Sequence, residues 1–215
     1  MKIKTITSES GNDFSAIMKV LVACEYSGRV RDAFIARGHD AVSCDLLPTD
    51  VPGPHYQGDV FDIINDGWDL MIAFPPCTYL CSSGMHWTTR GFRPSHLTED
   101  ALAFVRSLLD APIYKIALEN PVGCIGTRIR KYDQIIQPHE FGEDASKKTC
   151  LWLKNLPLLG STKHIPGRLV DGRQRWGNQT DSGQNKLAPS PDRWKNRSET
   201  YKGIAEAMAK QWGNL

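Results

Sequence analysis

The sequence predicts an α/β fold, a mostly parallel sheet with helices on both faces, and three observations carry that prediction. Continuously apolar, β-rich runs alternate with helical patterns, which is the rhythm of βαβ units. Three of those runs end against proline, at Pro48, Pro75 and Pro121, and proline cannot donate to a sheet ladder. The length of 215 residues, 40% hydrophobic and 23% charged, suffices for one sizeable domain but not comfortably for two.

Residues 1–17 are polar and unpatterned and read as a loose N-terminal extension, so a single domain is expected over 18–215. Residues 19–25, KVLVACE, read as a strand buried on both faces. SGRVRDAFIARG turns into a short helix closed by Gly38, with Val30, Ala33, Phe34 and Arg37 at helical spacing. Residues 41–47 form a second strand, and a Pro/Gly-rich turn leads on to YQGDVFDII. WDLMIAF, 68–74, is the next buried strand. HLTEDALAFVRSLLDA, 96–111, is an amphipathic helix with Thr98 as its N-cap and Glu99 and Asp100 in the first turn. IYKIALEN, 113–120, is again a strand.

Beyond it the pattern loosens into a helix and two strands, QIIQP and TCLWL. Residues 162–197 carry eight Lys/Arg against three Asp and many glycines, and read as an irregular basic segment. The stretch 198–213 is a closing helix whose Tyr201, Ile204, Ala205, Met208 and Trp212 share one apolar face.

A net charge of +2 is too small to imply a partner. A membrane-spanning helix needs roughly 20 apolar residues, and no such run exists. The opening MKIKTITSES lacks a signal peptide's apolar centre, so a cytoplasmic protein is expected. Its six cysteines then read as reduced thiols. Cys77 and Cys81 are the one close pair, with no second pair at finger-like spacing, so no metal is expected.

The chemistry concentrates at FPPCTYLCSSG. Pro75 and Pro76 stop the strand and hold Cys77 on a stiff backbone at its carboxyl end, where ligands bind in α/β sheets. Glu25 and Glu119 fall at the ends of other strands, and in a parallel sheet those ends share an edge. A cysteine is most often a small buried apolar residue. The double proline and the acid on a neighbouring strand end favour a nucleophile at Cys77, whereas Cys81, lacking that context, reads as packing.

With Pro76-Cys77 and Glu119-Asn120-Pro121 in place, the sequence resembles the cytosine-C5 DNA methyltransferase family, well over 19–121 and in outline beyond. The resemblance implies a Rossmann-like, S-adenosylmethionine-dependent methyltransferase fold. It makes Cys77 the nucleophile and Glu119 the acid that recognises the base, flanked by Asn120 and Pro121. Thiolate addition to C6 makes C5 enamine-like, and a buried, protonated carboxyl donating at N3 favours that addition. The resemblance also implies that S-adenosyl-L-methionine is held by Glu25, Ser27 and Gly28 in the first strand-to-helix turn, by Asp45, by Asp59 and Val60, by Pro75, and by Gly203 of the closing helix. Only Gly28 remains of that family's glycine-rich turn, and each carboxylate alone is commonly a solvated loop residue.

For the family's downstream Arg-x-Arg, two stretches compete: Lys147 and Thr149, preferred for position, and Arg128 and Arg130, which have the letters. Arg90 lies in a loop with Trp87 and Phe92 and is expected to approach substrate. Residues 139–197 leave no room for a full target-recognition module, as in compact phage-encoded members of the family. DNA is the expected partner, with base flipping. A free deoxycytidine nucleotide, dCMP or dCTP, and an inactive nucleic-acid-binding protein are the alternatives. An amino-methyltransferase is disfavoured, because Phe74 stands where such enzymes need a hydrogen-bond acceptor.

Overall fold

The computed structural model describes residues 16–191 and 193–215. The expected extension falls mostly outside the described residues; within them Ile17 is exposed and Met18 is already buried. The first strand, β1 (Lys19–Ala23), is followed by α1 (Arg29–Ile35), β2 (Asp40–Asp45), β3 (His55–Gln57) and β4 (Leu70–Ala73). After them come α2 (Ser82–Thr89), α3 (His96–Leu109), β5 (Lys115–Pro121), α4 (Ile125–Arg128), β6 (Gln134–Ile136) and β7 (Thr149–Lys154).

These seven strands make one sheet in the order β3-β2-β1-β4-β5-β7-β6. The pairs from β3 to β5 are parallel, and β7 runs antiparallel to both β5 and β6. This is the α/β, Rossmann-like fold that the sequence predicts. Composition follows place. Central β1 and β4 are apolar and fully buried apart from Lys19, whereas edge strand β3 is the short, polar HYQ.

Successive residues of β1 serve opposite faces. Val20 and Val22 pack with Phe34 of α1 and with Met208 and Trp212 of α6 (Lys202–Trp212). Leu21 and Ala23 pack with Leu102, Val105 and Leu108 of α3 and with Trp152 of β7. Each large apolar side chain buried this fully contributes about 1.5–3 kcal/mol.

Three expectations are corrected here. Thr98 does not cap α3: the helix begins at His96 after Ser95, and Thr98 is buried, its hydroxyl reaching the Tyr79 carbonyl at 3.2 Å. The closing helix spans 202–212 rather than 198–213, because Tyr201 is still extended. The basic segment is not wholly irregular. It holds a hairpin, β8 (Arg168–Val170) and β9 (Arg173–Arg175), and a short helix α5 (Arg193–Ser198). The hairpin turns on Asp171 and Gly172, both at positive φ (48° and 74°), the preference of a two-residue Asp-Gly turn.

Candidate active site

β4 and β5 pair in parallel with Ala73 opposite Leu118, so FPPC leaves the sheet beside Glu119, Asn120 and Pro121, which continue β5 against β7. Neighbouring strands lie about 4.8 Å apart. The chain lifts off at Pro75, whose buried carbonyl has no ladder partner. Asn120, itself 1% exposed, supplies one: its side-chain amide donates to that carbonyl at 2.8 Å. The adjacent strand thus pins the Pro-Pro-Cys corner. The Cys77 carbonyl then accepts the N–H groups of Leu80 (3.0 Å) and Cys81 (2.9 Å), closing a turn that leaves the Cys77 side chain half-buried.

Glu119 is also half-buried, and loss of water pushes its carboxyl above the ordinary carboxylate range, with the Lys147 charge and a Thr149 hydrogen bond opposing. The negative charge of Glu119 raises Cys77 and the positive charge of Lys147 lowers it, so the three groups form one electrostatic cluster. Glu119 borders a small cavity with Phe74, Lys147, Thr149, Tyr201 and Ile204. Its volume of about 10 Å³ is at the limit for one water molecule. A larger open groove between α1 and α6, lined by Arg29, Asp32, Arg37 and Glu206, contains none of these groups.

Thr149 begins β7 opposite Pro121, which brings both Lys147 and Thr149 to Glu119. The Thr149 hydroxyl also reaches the Lys147 carbonyl at 3.3 Å. Arg128 pairs instead with Glu99 at 2.7 Å and Arg130 with Asp133 at 2.8 Å, both on the surface. Arg90 is exposed at the end of α2, in the same stretch as exposed Trp87 and Phe92, whose rings meet edge to face.

The turn after β1 differs in detail from its expected use. Glu25 and Ser27 are buried and face inward. One Glu25 oxygen accepts the Val30 N–H (2.8 Å) and the Ser27 hydroxyl (3.0 Å), and the other lies 3.4 Å from the Arg31 N–H. The Glu25 carboxyl thus serves the start of α1. Gly28 has a φ of 73°, and a Cβ there would collide with the Arg31 guanidinium, so glycine is required. Asp45 ends β2 half-buried, its carboxyl raised by burial. Asp59 is exposed and caps the following 3-10 turn by accepting the Phe61 N–H at 3.0 Å. Burial first, and then the charges of Asp45 and Asp59, push up the half-buried Cys24 thiol, so both acids bear on this turn.

Two other expected contacts have packing roles. The Val60 side chain is core. Gly203 lies where a Cβ would meet the Phe141 carbonyl at 1.9 Å, and its N–H donates to Glu143 at 3.0 Å. A close approach of backbone to backbone accounts for that glycine.

Sequence reasoning missed two residues. Arg31 is fully buried, with its donors on Asp32, Ser43, Thr49 and the carbonyls of Val51 and Pro52, and it organises the loop beside Asp45. Nothing in its local pattern separates it from a solvated helix arginine. Cys81 reads from its local pattern as packing, yet it shares the Cys77 turn, its N–H bonded to the Cys77 carbonyl at 2.9 Å, and the two thiols bear on each other's ionisation. The signal was available as the spacing of four between the cysteines.

No protein-family model matches the chain, and no curated protein does. Among solved structures it is similar to an Entamoeba histolytica methyltransferase, EhMeth, at 14% identity, covering 70% of this chain and 58% of that one, with a TM-score of 0.46. A likeness of that depth bears on neither reaction nor substrate.

Proposed function

We propose that this protein is an S-adenosylmethionine-dependent methyltransferase acting on C5 of cytosine in DNA. One observation carries the reading: Cys77, just past the end of β4, and Glu119, near the carboxyl end of the adjacent parallel strand β5, are a thiol and a carboxyl pushed toward its protonated form that act on each other electrostatically. Covalent activation of a pyrimidine requires that pair, since sulfur adds at C6 while an acid neutralises the charge arriving at N3. Lys147 and Thr149 orient the carboxyl, and Asn120 holds the corner from which the thiol projects.

The donor set around the first turn fits S-adenosylmethionine: Asp45 suits the ribose hydroxyls and Asp59 the adenine amine. That cofactor supplies an electrophilic methyl group. Basic residues of 162–197 and exposed Trp87 and Phe92 support DNA as the substrate.

The test is a duplex containing 5-fluorocytosine, incubated with protein and cofactor. The expected product is a protein–DNA adduct that survives denaturation, maps to Cys77 and is abolished by Cys77→Ala. Transfer of label to dCMP but not to duplex would replace the substrate. Salt-sensitive DNA binding with no transfer to either would leave a binding protein.

A further inference from the structure

The chain between Cys77 and α3 leaves the body of the protein and comes back to it. Its outgoing end is clamped from β5's side. The Ser82 N–H and hydroxyl both donate to the Val122 carbonyl at 3.0 Å, and the Cys124 N–H donates to the Leu80 carbonyl at 2.8 Å. Its returning end is tied to the two residues that follow Cys77 most closely. Arg93 donates to the Thr78 carbonyl at 3.4 Å and sits 5.5 Å from the centre of the Tyr79 ring, while the Thr98 hydroxyl holds the Tyr79 carbonyl.

Between those ties lies a projection. No residue of α2 is buried. Trp87 is 49% exposed and Phe92 68%. The Phe92 N–H donates to the Trp87 carbonyl at 3.0 Å across a turn in which Gly91 has a φ of 76°, so one tight turn carries both rings. Two touching rings left in water form a patch, unlike a side chain exposed singly.

Charge selects the partner. No Asp or Glu stands between Asp69 and Glu99, whereas His86, Arg90, Arg93 and His96 do. Aromatic rings among cations suit a nucleic acid, whose bases stack and whose phosphates attract counter-charge. Ring geometry then selects the mode. The planes of Trp87 and Phe92 are inclined at 66°, with centroids 5.7 Å apart. Successive bases of a strand lie parallel, so this pair cannot serve as a platform for two of them. One ring can enter a stack while the other braces it. At about 1.5 Å of rise per residue, Trp87 stands about 8 Å along α2 from the clamped Ser82. That span is about two base-pair steps of 3.4 Å.

We propose that Trp87, braced by Phe92, is a wedge that enters the stack of duplex DNA beside the extruded cytosine and keeps the gap from closing, with exposed Arg90 meeting an adjoining phosphate. The inference rests on the reading of the site as one that acts on cytosine in DNA. Extrusion forfeits the pairing and stacking of the target base, and an inserted ring restores stacking in the gap. A cytosine with no pairing partner costs less to extrude, so the wedge matters most for paired DNA.

The test compares wild type, Trp87→Ala and Trp87→Phe on one DNA strand annealed to two complements, one ordinary and one with abasic sites opposite the cytosines. Two signals are read: methyl transfer from labelled S-adenosylmethionine, and the fluorescence of 2-aminopurine placed beside the cytosines, which rises on unstacking. Trp87 is exposed, so both variants should keep the wild-type thermal midpoint. Trp87→Ala should lower transfer to the fully paired duplex by at least about tenfold and to the abasic one by less than about threefold. It should also lose the fluorescence rise, and Trp87→Phe should recover much of both. Equal losses on the two DNAs, no loss, or transfer by wild type without the fluorescence rise overturns the wedge alone. A rise that Trp87→Ala loses, in a protein that transfers no methyl, supports the wedge and overturns the cytosine-C5 reaction. Transfer to dCMP only, or neither signal from wild type, overturns the wedge together with the DNA reading.

Discussion

Two glutamates end up at the same edge of this sheet, one just past β1 and one on β5, and they are put to opposite uses. Burial raises both carboxyls. Glu25 spends its oxygens on the start of α1, on Val30, Arg31 and Ser27. Glu119 meets only Thr149 and Lys147 and borders a cavity. A strand-end acid is therefore not a site by virtue of its place or its raised pKa; what counts is whether donors of the fold have already taken its acceptor positions.

Removing each charge should break the comparison cleanly. Glu119→Gln should lower methyl transfer by about 10²–10⁴-fold, the usual range for loss of a positioned acid, while leaving the thermal midpoint unchanged or raised. Glu25→Gln should do the reverse: chemical denaturation should show a loss of about 1–2 kcal/mol as the α1 donors lose an anionic acceptor, with activity per folded molecule within a few-fold of wild type. If Glu25→Gln abolishes activity at full stability, Glu25 is a ligand group and the contrast drawn between the two is wrong.

Lys147→Met sharpens the Glu119 side. Lys147 holds that carboxyl down, so its removal should let the pKa rise further. The protonated acid then persists to higher pH, and the alkaline limb of the rate profile should move up. An unmoved limb would show that Lys147 serves something other than Glu119.

The smallest expected effect is on stability. Glu119 has a folded-state pKa raised above the ordinary 4.5, so its stabilising contribution is complete below that value and is lost as pH rises through the raised one. Urea unfolding of wild type and Glu119→Gln from pH 5 to pH 8 should show the glutamine variant gaining on wild type as pH rises.

Sequence carries the parts of this architecture that are local or periodic. Proline ends the apolar run of β4 because it has no N–H, and that reads directly off FPPC. The closing helix shows its buried face because a 3.6-residue period puts Ile204, Met208 and Trp212 on one side wherever the helix docks. Lys147 and Thr149 could be preferred over Arg128 and Arg130 by their place before a strand, and only the first pair adjoins Glu119. The Asp-Gly turn at 171–172 was legible too, and was masked by the surrounding charge.

Sequence by itself determined which residues would end strands at one edge of a parallel sheet, because hydrogen-bonding capacity and side-chain period are properties of the chain. Tertiary structure alone decided who partners whom there. Thr98 bonds a carbonyl 19 residues away rather than capping its helix, Arg31 is buried by a loop up to 21 residues distant, and Asn120 holds a carbonyl 45 residues back. Such bonds depend on which strands become neighbours, and most buried polar groups find their partners in the packed chain, wherever along the sequence those partners lie.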